Sequence, residues 1–267
     1  MRKRTTRWSE RAFVAEGAEV VRTALDAGIL PEALYVAAEG GHGADEAAAQ
    51  AEAAGVRVYE LAPGVLAKVA DTVTPQPVMA VFSMLDVDLA SVGGGRLVVV
   101  VDDVRDPGNA GTVLRTADAA GAGAVVFCGG SVDPYNPKTV RSSAGSLFHV
   151  PIVVEADTEA ALAGLADLGY RRLGTAARDG EDYATVDWSV PTALVLGNEA
   201  AGLRPDLDLD GSVAIPMAGR AESLNVGMAC AVLCFEALRQ CRARGGPTAP
   251  PVTGGVRSEA VRRPTMP

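Results

Sequence analysis

Aromatic residues and long apolar runs are scarce in this chain. Phe, Trp and Tyr make up 4% of its 267 residues, whereas hydrophobic residues as a whole make up 48%. The interior must therefore be filled mainly by small aliphatic side chains, which suit close packing of helices on a sheet. No apolar run approaches the roughly 20 residues of a membrane-spanning helix. The basic start, Met1–Arg7, lacks the apolar stretch of a secretory signal. We expect a cytoplasmic protein that does not act at a membrane.

Cysteine and histidine are also few. The sequence has four cysteines and two histidines, His42 and His149. No two cysteines have the Cys-x-x-Cys spacing, and the histidines lie far apart, so the usual zinc-binding patterns are absent. We predict no metal site, and we expect the cysteines to be buried, reduced thiols.

The charge is unevenly distributed. The net charge of −9 argues against a general nucleic-acid binder, which usually carries a basic surface. The two ends differ from the rest, because residues 1–11 hold five basic groups and residues 239–267 hold six arginines, each with one acid. Any affinity for RNA would then come from the ends and from local patches.

Apolar runs with strand and helix periodicity alternate along the chain, which predicts an α/β fold with a mostly parallel sheet. We divide the sequence into a small α/β domain at 1–85, a Gly-rich linker at 86–95 and a larger domain at 96–244. Residues 245–267 are rich in Pro, Gly and Arg and predict a disordered basic tail.

Three loops of the larger domain stand out, because each follows a predicted strand and carries Gly, Asn and charged side chains. Ligands of open α/β sheets bind at this edge. A Rossmann fingerprint needs Gly-x-Gly-x-x-Gly in a single loop, and the first loop does not have it. The distinctive residues are, in the first loop, Asn109, Gly111 and Arg115; in the second, Gly197, Glu199, Gly202 and Leu203; and in the third, Ile215, Pro216, Met217, Ser223, Leu224, Asn225 and Val226.

These three motifs, in this order, resemble those of the SpoU (TrmH-like) family of RNA 2′-O-ribose methyltransferases in the SPOUT superfamily. The resemblance covers residues 96 to 242. Phe13, Glu16 and Gly17 resemble the start of the L30e-like substrate-binding domain that precedes many members. The resemblance implies a trefoil-knotted catalytic domain, S-adenosyl-L-methionine (AdoMet) as cofactor and a homodimer in which an arginine faces the partner's cofactor site.

The resemblance also assigns roles to single residues. It implies catalytic roles for Asn109, Arg115, Glu199, Ser223 and Asn225, and a cofactor site at Gly197, Ile215, Met217 and Leu224. Lys138 and Arg141 are the only cations between Arg115 and Arg171, which predicts a contact with RNA phosphates.

Simpler interpretations of several of these residues stay open. Arg115 is also compatible with an exposed helix arginine, and Glu199 with a charge near a helix start. Ser223 is a candidate N-cap of the last helix, and Lys138 with Arg141 is a candidate surface pair.

We therefore expect an AdoMet-dependent RNA 2′-O-methyltransferase. Ribosomal RNA is the preferred substrate, because the additional domain is commoner among family members that modify rRNA. The alternatives are a tRNA 2′-O-methyltransferase and a non-catalytic RNA-binding or ribosome-assembly protein on the same fold.

Overall fold

The structure is a computed structural model that describes residues 1, 3–69 and 75–245. Nearly all of the predicted tail therefore lies outside the described residues. Eleven strands and eight helices are assigned within them. The strands are β1 Ala12–Glu16, β2 Ala33–Ala37, β3 Val58–Leu61, β4 Val78–Ser83, β5 Leu97–Val101, β6 Ala124–Phe127, β7 Ile152–Val154, β8 Arg171–Ala176, β9 Glu181–Asp182, β10 Thr192–Leu196 and β11 Gly211–Ala214. The helices are α1 Arg4–Glu10, α2 Ala18–Asp26, α3 His42–Ala53, α4 Val65–Val69, α5 Pro107–Ala120, α6 Pro137–Ser142, α7 Thr158–Asp167 and α8 Val226–Ala243.

The strands form two sheets. The first has four strands in the order β1-β4-β2-β3 and is mixed, since β1 and β2 run antiparallel to β4 and β3 runs parallel to β2. The second has seven strands in the order β7-β6-β5-β10-β8-β11-β9, all parallel. The predicted α/β class, with a parallel sheet preceded by a smaller α/β unit, is confirmed.

Strand β5 shows why the second sheet is so apolar. All five of its residues are buried, as expected for a strand of a parallel sheet that is covered on both faces. Val99 and Val101 face one hydrophobic cluster, whereas Val98 and Val100 face another on the opposite side. The central strand β10 is likewise buried along its whole length.

The two sheets share one hydrophobic core. Phe13 and Phe82 of the first sheet pack against Tyr135 and Phe148, which belong to the second part of the chain, with ring centroids 4.9–6.2 Å apart. The few aromatic residues are thus concentrated where the two parts meet. This packing fixes the four-stranded sheet against the seven-stranded sheet.

A buried ion pair also connects the two sheet-containing parts of the chain. Arg7 in α1 donates from Nη2 to Asp133 Oδ2 at 2.5 Å, and both side chains are almost fully buried. Residues between the sheets are also held in place. Val87 N donates to the Ile152 carbonyl at 2.8 Å, and Tyr135 Oη accepts from Leu85 N at 2.9 Å.

The four cysteines are buried and free, as predicted. Within the described residues, no helix is both long enough and apolar enough to span a membrane. The same part of the chain contains no group of three or more His, Cys, Asp or Glu side chains arranged to hold a metal ion.

Candidate functional site

The order of the parallel strands brings the three motif loops to one edge of the seven-stranded sheet. Strand β10 lies between β5 and β8, and β11 lies on the far side of β8. Because parallel strands end at the same edge, the loops that follow β5, β10 and β11 are neighbours in space. The sheet thereby gathers residues that are about a hundred positions apart in the sequence.

The first loop places Asn109 in the first turn of α5. Asp106 is the N-cap of this helix, and its Oδ1 accepts from Asn109 N at 2.9 Å. Pro107 occupies the first helical position, where a missing N–H costs nothing. The helix therefore begins at a fixed point, with the Asn109 side chain directed at the second loop.

A continuous chain of hydrogen bonds links the three loops. Asn225 Nδ2 donates to Asn109 Oδ1 at 2.9 Å, and Asn109 Nδ2 donates to Glu199 Oε1 at 3.0 Å. We call Asn109, Glu199 and Asn225 the polar relay. Each amide uses its oxygen and its nitrogen at once, so the orientation of both side chains is set. Three of the five predicted catalytic residues thus lie together.

Glu199 is anchored further by backbone donors. Its Oε1 accepts from Asp106 N at 3.1 Å and its Oε2 from Arg105 N at 3.3 Å. Burial by itself raises the pKa of Glu199, but the hydrogen bonds from Asn109 and from the backbone outweigh it, so the pKa is lowered overall. The carboxylate is therefore ionised at neutral pH and acts as an acceptor.

The third loop ends at Asn225, which is the N-cap of α8. Asn225 Oδ1 accepts from Gly227 N at 2.9 Å and from Met228 N at 3.3 Å. The alternative role of Ser223 as the N-cap is therefore wrong, because the helix begins two residues later. Ser223 is exposed and makes no hydrogen bond to the described residues.

A close approach between helices supports this arrangement. A Cβ at Gly227 would lie 2.8 Å from Thr112 Cγ2. Glycine therefore lets the first turn of α8 pack directly on α5, which brings Asn225 within reach of Asn109.

The predicted cofactor residues lie in the second and third loops. Gly197 is buried, and a Cβ there would lie 2.5 Å from the backbone of Gly202 and Leu203. Glycine is thus required at position 197 by the loop that follows it. That loop folds back through paired hydrogen bonds between Asn198 and Gly202. Of the apolar side chains in the third loop, Ile215 and Met217 are half-buried and Leu224 is 39% exposed.

The family comparison decides the assignment. The SpoU rRNA Methylase family matches residues 96–235, which include all three loops, and an MRM3-like substrate binding domain matches residues 1–80. The chain belongs to the SpoU rRNA methylase family.

Individual relatives of this SpoU protein support the same family assignment. It is 38% identical over 234 residues to the 23S rRNA (guanosine(2553)-2′-O)-methyltransferase RlmP of Bacillus subtilis, covering 86% of this chain and 90% of that one. It is 40% identical over 177 residues to the 23S rRNA (uridine(2479)-2′-O)-methyltransferase of Streptomyces viridochromogenes, covering 62% and 61%. The crystal structure of an AdoMet-bound rRNA methyltransferase from Sinorhizobium meliloti is similar with a TM-score of 0.79 and 36% identity, covering 89% and 90%.

Arg115 does not join the polar relay of this SpoU protein. It is exposed on α5 and has no ion pair or hydrogen bond within the described chain. Asn109 lies six residues earlier, which corresponds to about 9 Å along the axis and to another face of the helix. Arg115 is therefore directed away from the relay.

The two predicted RNA-binding cations are exposed on α6, next to the site. Lys138 Nζ lies 3.8 Å from Asp106 Oδ2, and Arg141 is in the last turn of the helix with no carboxylate partner among the described residues. Helix α6 packs tightly on α5, since a Cβ at Gly111 would overlap the Ser142 side chain.

A cavity of about 670 Å³ lies beside the first two loops, and the predicted cofactor residues do not line it. Its four carboxylates all have partners within the protein, so we assign no ligand to it. The pairs are Asp102 with Thr158, Asp103 with Arg105, Asp157 with the first turn of α7, and Glu159 with Arg204.

Sequence reasoning missed two residues that organise the site. Asp106 caps α5 and donates its N–H to Glu199; the Asp-Pro pair before a helix was the available signal. Asn198 Nδ2 donates to the Asp103 carbonyl at 2.9 Å, which ties the second loop to the first. A loop asparagine has many alternative partners, so this bond had no clear signal in the sequence.

Proposed function

We propose that this protein transfers a methyl group from AdoMet to a ribose 2′-hydroxyl of 23S ribosomal RNA. The observation that carries the proposal is the polar relay, which joins all three motif loops of a SpoU-family domain. The relatives named above act on 23S rRNA, and the Sinorhizobium structure contains AdoMet. One of these relatives modifies a guanosine and the other a uridine, so the proposal does not assign the base.

The third loop fits the cofactor chemically. Leu224 is an exposed apolar side chain in a segment without regular structure, and Ile215 offers a second apolar surface. No backbone N–H of residues 217–224 is used in a hydrogen bond within the described chain. An adenine needs such an apolar slot with free polar groups at its edge. We propose that Gly197, Ile215, Met217 and Leu224 hold AdoMet, which supplies the methyl group when it is bound.

In the proposed mechanism, the polar relay positions and polarises the target ribose 2′-hydroxyl, which is the nucleophile. The ionised Glu199 fixes the Asn109 amide, and Asn109 in turn fixes Asn225. The target 2′-hydroxyl binds beside these groups and beside Ser223, which is free to accept or donate a hydrogen bond. Bound AdoMet would supply the methyl carbon, whose bond to sulfur would break as its bond to the 2′-oxygen forms, leaving S-adenosylhomocysteine. The hydroxyl proton would pass to a neighbouring acceptor, for which the Glu199 carboxylate, an RNA phosphate and solvent are the candidates.

Arg115 has a separate role in the proposal. A guanidinium is too basic to accept the proton, but its planar fork suits a phosphate next to the target ribose. We propose that Arg115 of one subunit serves the cofactor site of its partner, as in the family. Lys138 and Arg141 contact further phosphates.

The proposed homodimer uses α8. Met228 is 60% exposed and Phe235 is 49% exposed, and both lie on this helix beside α5. Leu233 on the same helix is buried in the subunit core and does not contribute to this surface. Two copies that cover this surface would need to bury roughly 1,200 Å² or more.

We further propose that residues 1–85 form the part that recruits RNA, in line with the substrate-binding family matched there. A cytoplasmic location belongs to the same proposal, because the proposed substrate is ribosomal RNA.

Tritium transfer from labelled AdoMet tests the function. Purified protein is incubated separately with 23S rRNA, 16S rRNA and tRNA that lack the modification, and labelled products are digested to locate 2′-O-methyl groups. We expect label in 23S rRNA only. Label in tRNA alone would show that tRNA, and not 23S rRNA, is the substrate. No label in any RNA would favour a non-catalytic RNA-binding protein.

A further inference from the structure

A stacked pair of tyrosines lies at the exposed edge of the first sheet. Tyr35 of β2 and Tyr59 of β3 are direct partners in the strand register, with ring centroids 5.3 Å apart and planes 15° apart. Tyr59 is 38% exposed, and apart from Phe235 on α8 it is the only exposed aromatic residue among those described. An exposed tyrosine is thus exceptional in this protein.

Tyr59 lies at the outer edge of the described sheet. The stack runs from β2 to β3, and β3 is the last strand of the sheet as described. Tyr35 therefore covers one face of the ring, and no strand covers the other. Arg57 Nη1 donates to the Tyr59 hydroxyl at 3.2 Å, which holds the ring in place.

Two cations of this domain have no acidic partner within the described chain. Arg57 directly precedes β3 and reaches the Tyr59 hydroxyl, and Lys68 belongs to α4, which packs through Leu66 on the cluster that contains Tyr35. Neither cation has a carboxylate partner in the described chain. By contrast, Arg11 and Arg22 on the same domain are both neutralised by carboxylates.

An exposed aromatic ring on a domain with unpaired cations suits a single nucleic-acid strand. Bases stack on aromatic rings whatever their identity, and neighbouring phosphates are attracted by Lys and Arg. We propose that Tyr59, supported by Tyr35 and with Arg57 bonded to its hydroxyl, stacks an unpaired base of the substrate RNA, while Lys68 on the neighbouring helix α4 attracts a phosphate of the same strand. This inference rests on the proposed function and deepens it, since it names single-stranded RNA as the ligand of this surface.

Fluorescence anisotropy with two probes tests this surface. A labelled 12-nucleotide oligo(A) serves as the single strand, and a 12-base-pair RNA duplex serves as its control. Each is titrated with full-length protein and with the variants Tyr59→Leu, Tyr59→Phe and Leu30→Ala. Leu30 is another exposed apolar residue of the same domain, at 51% exposure, and lies outside the stack. Urea unfolding confirms that each variant is folded.

We expect Tyr59→Leu to weaken oligo(A) binding about 5- to 150-fold, the range for loss of one stacked base. Tyr59→Phe keeps the ring and should stay within about threefold of wild type, as should Leu30→Ala. Arg57→Gln and Lys68→Gln should each reduce the slope of log K against log[salt] by about 0.7. Duplex binding should change little in the Tyr59 variants.

Two results would overturn the stacking proposal. One is oligo(A) affinity for Tyr59→Leu equal to that of wild type, and the other is an equal loss for strand and duplex. A protein ligand captured by this face with no change in RNA affinity would have the same effect. The methyl-transfer assay on wild-type protein is independent, so an inactive protein whose oligo(A) binding depends on Tyr59 would reject the proposed function alone.

Discussion

Asn225 donates a hydrogen bond to Asn109 across 116 positions of the sequence, and it caps α8 at the same time. One side chain thus starts the last helix and completes the polar relay. Because the two tasks use different atoms of the amide, they can be separated by substitution.

Asn225→Ser keeps an oxygen for the cap but loses the donor to Asn109. We expect its unfolding free energy to stay within about 0.5 kcal/mol of wild type, whereas Asn225→Ala should lose about 1 kcal/mol. Both variants should lower kcat/KM for methyl transfer about tenfold or more, because Asn109 is no longer oriented. Urea unfolding and tritium transfer measure the two effects. Full activity in the serine variant would exclude the relay from catalysis.

Glu199→Gln places an amide where three N–H groups now point. We expect a large loss of kcat with little change in AdoMet affinity, measured by tritium transfer and calorimetry. The folded-state pKa of Glu199 is lowered, so its stabilising effect is fully present above the usual value of 4.5 and is lost as the pH falls through the lowered folded-state pKa. The stability difference between wild type and Glu199→Gln should therefore shrink in acid. A difference that stays constant from pH 7 to pH 3 would contradict this.

Arg115→Ala removes an exposed side chain that has no partner among the described residues. Stability and AdoMet affinity should be unchanged, while kcat falls about 10²-fold or more if the guanidinium acts in the transition state. Arg115→Lys keeps the charge but not the fork and should recover only part of the rate. Turnover, unfolding and cofactor titration are compared for both variants. Near-normal turnover in Arg115→Ala would leave Arg115 as a surface arginine.

Met228→Asp combined with Phe235→Asp places charges on the exposed face of α8. We expect a monomeric mass by light scattering and a loss of methyl transfer, since Arg115 would no longer reach a partner's site. Leu168→Asp alters another exposed apolar residue, at 41% exposure, and serves as the control. A wild-type protein that is monomeric while active would rule out the proposed dimer.

Asp133→Ala breaks the buried pair with Arg7. Removal of one partner of a buried ion pair costs about 3–5 kcal/mol, so a clear loss of stability should appear in urea unfolding. Glu19→Ala removes a carboxylate that is 83% exposed and pairs with Arg22, and should cost about 1 kcal/mol or less. Equal effects of the two substitutions would show that the buried Arg7–Asp133 pair contributes little to the free energy of unfolding.

Short apolar strands were predictable from the sequence. Strands β2, β4, β5 and β6 coincide with short apolar runs of the sequence. Strand β1 was not predicted, because Ala12–Glu16 has no local feature that separates a strand from a helix. The segment is a strand because it pairs with β4, some 65 residues further on.

The site was predictable as a set of loops but not as a set of contacts. The motifs indicated Asn109, Glu199 and Asn225, and the strand order brings them together. The motifs could not separate these residues from Ser223 and Arg115, which lie in the same segments but outside the relay. Which face of a helix a residue occupies, and where that helix begins, depend on caps such as Asp106 and Asn225.

The order of Asn109, Glu199 and Asn225 in the sequence bears on synthesis by the ribosome. Asn109 emerges first, Glu199 follows 90 residues later, and the relay closes only when α8 has been made and its first turn can accept Asn225 as a cap. A nascent chain that lacks α8 therefore has no assembled site. The relay therefore cannot form before α8 has been synthesised.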